Sequence, residues 1–162
     1  MSTEIPDSAP RRGQPPAEMA VHLGYLLKHV HLRFFELAAA ALAPAGINGR
    51  EAAVLRAIDN PQPLAQGEIA RRMGIDRTTM VALIDDLQER GLVQRRQDPD
   101  DRRRNVVELT DAGQDITRQA ARAGEQAERT FFSPLSAGEA QQFKKTLRAL
   151  LASTDFPVSE LA

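Results

Sequence analysis

Two short runs in this 162-residue chain gather side chains that can bond phosphates and base edges. Arg77-Thr78-Thr79 follows Asp76, and Arg102-Arg103-Arg104 lies within DPDDRRRNVVELT, residues 98–110. Packing gives no reason for the second run, because three adjacent guanidinium groups repel one another and cannot all be buried. Either it is a solvated turn whose charge the neighbouring aspartates offset, or something anionic meets it. The first run poses the same choice. It is an ordinary surface start to a helix, or a reading surface in which arginine bonds guanine O6 and N7 and threonine offers a hydroxyl and a methyl. A helix N-terminus also attracts phosphate.

Composition removes several other chemistries. Lys and Arg number 21 against 22 Asp and Glu, a net charge of −1, which argues against a uniformly basic coat. A local basic patch still acts over a Debye length of about 8–10 Å. The chain has no cysteine, so disulfides, thiolate metal sites and thiol switches are absent. Its three histidines are His22, His29 and His31; the first two share a helix face at a seven-residue step, too far apart to hold one metal without a loop ligand. No metal and no cofactor are expected. No phosphate loop, nucleophile elbow, H-E-x-x-H pair or Cys/His couple is present, so an enzyme is not expected. No apolar run reaches the ~18–20 residues of a membrane span, and the N-terminus lacks a signal-peptide core. The expectation is a soluble cytoplasmic protein with no membrane partner.

The elements that position the two runs follow from apolar spacing. Over residues 19–42, Leu23, Leu26, Leu27, Val30, Phe34, Leu37, Ala38, Ala41 and Leu42 recur at steps of three and four, which predicts one long helix. At 1.5 Å per residue it is about 36 Å long, too long to bury so wide a stripe in one small domain, so a second chain is its natural partner. Asn48-Gly49-Arg50-Glu51 has a capping-box pattern and opens a second helix that runs to about Asp59. A third helix spans about residues 66–73 and closes on Gly74; Asp76 then caps a fourth, with Met80, Leu83, Ile84 and Leu87 inward. LVQRRQ and NVVEL read as two strands around the arginine-rich turn. Thr110 caps a helix with Ile116, Ala120, Ala123, Ala127 and Phe131 on one face. Ser136 and Glu139 open the last helix, with Phe143, Leu147, Leu150 and Leu151 inward.

A short helix, a glycine turn and a capped helix make a helix-turn-helix, and the hairpin behind it makes a winged helix. The fold class expected is therefore mostly α, a winged helix-turn-helix with a short β-hairpin wing and long N- and C-terminal dimerisation helices. Arg77, Thr78 and Thr79 would face the major groove. Arg95, Arg96, Arg102, Arg103 and Arg104 would line the wing, whose tip can reach a minor groove. Asp98 or Asp101 can pair with a neighbouring arginine and hold the tip in one shape.

From about residue 19 to 151 the chain resembles the multiple-antibiotic-resistance regulator (MarR) family. The strongest likeness is GIDRTTMVALIDDLQERGLVQRRQDPDDRRRNVVELTDAG, residues 74–113, with its D-P-x-D-R-R wing turn and L-T-x-x-G junction. The resemblance implies an obligate homodimer whose terminal helices interlock and whose winged lobes straddle pseudo-palindromic double-stranded DNA. It also implies an Asp-x-Arg pair in the wing, which falls on Asp101 and Arg103. Ala65 departs from the family, which commonly caps the third helix with Ser or Thr; the missing cap costs about 1 kcal/mol. Domain expectations follow: a disordered arm over 1–18, dimerisation helices over 19–47 and 111–154, a DNA-binding lobe over 48–110 and a tail over 155–162.

Family members commonly bind small aromatic or lipophilic acids between the dimerisation helices and the lobes, which points to Tyr25, His29, Arg33 and Arg56 as ligand-binding candidates. Each has a plainer reading; Tyr25 can be core, and Arg33 can pair with Glu36 or sit in water. The function expected is a sequence-specific DNA-binding transcription regulator, a homodimeric repressor relieved by such an acid. The alternatives are a winged-helix interaction adaptor and a ligand-independent DNA-binding protein.

Overall fold

Asn48 and Glu51 illustrate how local chemistry sets the helix boundaries. The Asn48 side chain accepts from the Glu51 backbone N–H and the Glu51 carboxylate accepts from the Asn48 N–H, both at 2.9 Å, closing the capping box at the start of α2 (Gly49–Ile58). The computed structural model describes residues 22–98 and 105–153. The expected arm over 1–18, Asp101, Arg102, Arg103, Arg104 and the tail over 155–162 lie outside the described residues. Before α2 come α1 (Leu23–Leu42) and a 3-10 turn, Ala43–Ala45. After it follow β1 (Leu64–Ala65), α3 (Gln66–Met73), α4 (Arg77–Glu89), β2 (Val93–Gln97), β3 (Asn105–Leu109), α5 (Asp111–Phe131) and α6 (Ala137–Ser153). Gly74 and Gly91 close α3 and α4 with φ of 64° and 69°, a region where a side chain would be strained.

The predicted hairpin forms in register Val93↔Leu109, Arg95↔Val107 and Gln97↔Asn105. It also has a third strand that periodicity does not reveal. β1 pairs antiparallel with the far edge of β3, Leu64 opposite Val107 and Ala65 opposite Val106, so the sheet order is β1-β3-β2. Two residues after a proline carry no alternation to read; they become a strand because β3 offers them an edge.

One core joins the lobe. Val54, Leu55 and Ile58 of α2, Ile69 of α3, Met80, Ile84 and Leu87 of α4, and Val93 and Val107 of the sheet are all buried, with Ala120 of α5 against them. The inward stripe read on α4 is the one that is buried; Leu83 is half-buried at its margin. Helices α1 and α5 pack antiparallel, with Phe34 edge-to-face on Phe131 at 5.4 Å and Ala41 beside Arg122 and Ala123.

The terminal helices differ from expectation in one respect. Leu147, Leu150 and Leu151, read as inward, are exposed in the single chain, at 36%, 59% and 72%. Phe143 packs on Phe132 and Lys144 pairs with Glu128, which tie the first half of α6 to the end of α5. Leu23, Leu26, Leu27, Val30, Leu32 and Phe35 of α1 are likewise exposed. Among the described residues no single helix is long and apolar enough to cross a membrane.

Candidate nucleic-acid interface and ligand cavity

Asp76 fixes how α4 presents its first turn. Its carboxylate accepts the Thr79 backbone N–H at 2.9 Å and the Thr79 hydroxyl at 2.5 Å. Those bonds leave the Arg77 and Thr78 side chains exposed at the helix start. Thr79 is half-buried and its hydroxyl proton goes to the cap, so its methyl and an acceptor lone pair are what remain for a ligand. Arg77 shares a groove with Ala65, Gln66 and Gly67 at the start of α3, Met80 and Val81 of α4, and Asn105 of β3. The fourth helix, the third helix start and the wing thus present one face.

The same bonds hold the Asp76 carboxyl below the usual carboxylate range, the Thr79 hydroxyl first and its backbone N–H second. A carboxyl with a lowered folded pKa stabilises the fold above the unfolded value, about 3.9, and loses that contribution as pH falls through the folded one. Acidification through and below pH ~4 is therefore expected to speed amide exchange at Thr79. Asp76→Asn, which caps without titrating, should remove that pH dependence. Exchange at Thr79 that rises equally in both proteins, after correction for intrinsic rates, would contradict it.

Both wing arginines in the described residues are paired within the fold. Arg95 donates from Nη1 to Gln88 Oε1 at 2.9 Å, from Nη2 to Asp85 Oδ1 at 2.6 Å, and from Nε to Gln66 Oε1 at 3.3 Å. It therefore ties β2 to both helices of the helix-turn-helix. Arg96 pairs with Glu108 across the hairpin, and Gln94 donates to the same carboxylate at 2.8 Å. Arg96 first, with Gln94 adding to it, holds the Glu108 carboxyl below its usual range. Asp98 follows β2 directly and is half-buried. Asp101 and Arg102 to Arg104, which carry the expected tip, fall between the described residues.

A second feature is an apolar cavity of about 400 Å3 where α1, α2 and α5 meet. Phe34, Phe35 and Leu42 line one side, Arg50, Ala53 and Arg56 another. Small residues at Ala38, Ala39, Ala52, Ala120 and Gly124 leave the space. Of the four ligand candidates, only Arg56 lines it. Tyr25 and His29 stack on each other with ring centroids 4.0 Å apart, and Arg33 lies 3.5 Å from Glu36 along the helix. Sequence reading missed Arg50, Phe34 and Phe35. The available signal was the three-residue step Arg50-Ala53-Arg56, which puts two cations on one face of α2 opposite an alanine-rich stretch of α1. Neither Arg50 nor Arg56 pairs with a carboxylate among the described residues.

Comparison with known proteins meets this geometry. A sequence profile of the MarR family matches residues 45–104. The HTH-type transcriptional repressor NicR of Pseudomonas putida is 26% identical over 150 residues, 93% of this chain and 94% of NicR. The fold matches CouR from Rhodococcus jostii RHA1 bound to p-coumaroyl-CoA with a TM-score of 0.71 and 29% identity, covering 87% of this chain and 99% of that one. It also matches the transcriptional repressor CouR bound to a 23-mer DNA duplex, with a TM-score of 0.72 and 32% identity over 85% of this chain and 94% of that one.

Proposed function

The chain belongs to the MarR family, and on that premise we propose that it is a cytoplasmic, homodimeric, sequence-specific DNA-binding repressor released by a small aromatic or lipophilic acid. The observation that carries this reading is the first turn of α4. Asp76 caps it, Arg77 and Thr78 stand exposed on it, and the start of α3 and strand β3 share its face. A helix presented in this way enters a major groove with its N-terminal side chains toward the bases. The structural relative CouR, solved on a DNA duplex, supports the same reading.

Binding of the chain's own upstream region, measured by fluorescence anisotropy against random duplex, tests it. Arg77→Ala is expected to weaken binding by about 1–3 kcal/mol per half-site and to relax preference at one base pair. An equal loss on operator and random DNA would instead assign Arg77 to the phosphate backbone. If the chain preferred no duplex, the regulator reading would fail.

The cavity supports the ligand half of the proposal. Phenyl rings of Phe34 and Phe35 suit an aromatic body, and Arg50 and Arg56 suit a carboxylate. CouR, solved with p-coumaroyl-CoA, is the relative that makes an aromatic acyl group the first probe. Titration calorimetry with p-coumarate and 4-hydroxybenzoate is expected to show binding that Arg50→Ala weakens about tenfold or more, a charged hydrogen bond being worth about 1.5–3 kcal/mol. By linkage, an acid that lowers DNA affinity must bind less tightly when DNA is present. No heat with either acid, and no change in DNA affinity, would leave a ligand-independent repressor.

A further inference from the structure

Arg90, the C-cap residue of α4, makes contacts that neither base reading nor ligand binding calls for. Its Nη2 donates to the Gly46 carbonyl at 2.7 Å, and its Nη1 lies 3.2 Å from both Glu51 Oε1 and Asp86 Oδ2. Gly46 ends the 3-10 turn that joins α1 to α2. Glu51 is the capping-box residue of α2 and is only 12% exposed. One guanidinium therefore fastens the C-terminus of α4 to the joint where α2 begins. Gly49, Arg50, Ala52 and Ala53, in the same first turns of α2, form one wall of the cavity. Displacement of that wall can reach α4 through this polar contact at its C-terminus as well as through the core that α2 and α4 share.

We propose that Arg90 is a positioning residue that couples the capped start of α2, and with it the cavity wall, to the orientation of α4. The proposal rests on the reading of α4 as the DNA-reading helix. The Glu51 side chain is largely covered, so if the Arg90 fork swung away its carboxylate would keep the Asn48 N–H but lose its cation. The fork also has two nitrogens to span Gly46 and the Glu51–Asp86 pair, which a lysine ammonium lacks. On the other side of α4, Asp85 and Gln88 hold Arg95 and hence β2, so a shift of α4 carries the base of the wing with it. Contact alone does not establish coupling; a shared response does.

Hydrogen-exchange mass spectrometry on the full chain reads that response without ligand or DNA. Asn48→Ala removes the side-chain cap of α2. It is expected to speed exchange in the first turn of α2 and also in the last turn of α4, several-fold in each. In an Arg90→Ala/Glu51→Gln background, which leaves no orphaned charge, the same Asn48→Ala change should speed α2 alone. Unchanged α4 exchange with Arg90 in place would overturn the coupling, as would an equal α4 response in both backgrounds. A second arm uses fluorescent duplexes. Arg90→Ala/Glu51→Gln is expected to lose operator preference about tenfold while binding random DNA as before, and Arg90→Lys to fall between. Preference equal to that of the native chain would overturn the positioning role. If the native chain prefers no duplex while the exchange coupling persists, the DNA reading falls and the coupling stands.

Discussion

Gly113→Ala is expected to cost the fold about 4 kcal/mol or more, most of the stability of an ordinary domain. Gly113 sits buried in the first turn of α5, where the chain leaving β3 crosses the turn that follows α4. A Cβ placed there would overlap the Leu92 carbonyl oxygen and stand 2.9 Å from the Leu92 carbonyl carbon. The obstacle is backbone, so no rotamer change relieves it. It is also pinned on both sides: Leu92 O accepts the Thr110 N–H at 3.1 Å, and the Leu92 N–H donates to Leu87 O at 2.9 Å. The Thr110 hydroxyl adds a bond to Gly91 O at 2.6 Å and accepts the Gly113 N–H at 3.0 Å. Relief requires α5 to lift off the lobe. Gly124→Ala on the same helix is the control, because nothing lies within 4 Å of its position and alanine favours a helix by about 1 kcal/mol over glycine. Urea unfolding followed by circular dichroism compares the two. A Gly113→Ala midpoint equal to that of the native chain would mean that the junction is not a close contact in solution.

A comparable loss is expected when the exposed leucines of α6 are charged. Leu147→Glu with Leu150→Glu should turn a homodimer into monomers or aggregates at micromolar concentration. Burying a leucine is worth about 1.5–3 kcal/mol, and a twofold dimer buries each pair twice, so the change removes on the order of 6 kcal/mol or more. The reason to expect burial is that Leu147, Leu150 and Leu151 and the outer stripe of α1 are large apolar side chains exposed in the single chain. Such a patch on a chain without a partner is an aggregation hazard. Sedimentation velocity decides the matter, together with the concentration dependence of the thermal midpoint, which a dimer shows and a monomer does not. A native chain that sediments as a monomer would remove the shared core from the proposal.

The caps were legible residue by residue. Asn48 with Glu51, Asp76, Thr110 and Ser136 with Glu139 each begin a helix where their side chains are in reach of the orphan N–H groups three residues on. The stripe Met80, Ile84 and Leu87 was equally plain, because a period near 3.6 needs nothing beyond local geometry. The L-T-x-x-G junction was read as a motif, but its cause, the approach of α5 to Leu92, involves residues about twenty positions apart.

Which partner a charge meets is less legible in a sequence than pattern is. Arg95 was assigned to DNA with the other wing arginines, and the fold surrounds it with Gln66, Asp85 and Gln88, which come from two other elements. Arg77 and Arg95 look alike in sequence; what separates them is that α4 passes under one and not the other. Strand β1 exists only because β3 lends it an edge. The cavity arises where three helices each bring a small residue to one crossing. What this chain's sequence determined by itself is therefore whatever depends on neighbours within about four residues: helix starts and stops, the buried stripes, the hairpin and the family likeness they add up to. Tertiary structure alone decided which cations are occupied, where a void opens and which leucines are left facing out, because those depend on the partner that packing delivers from elsewhere in the chain.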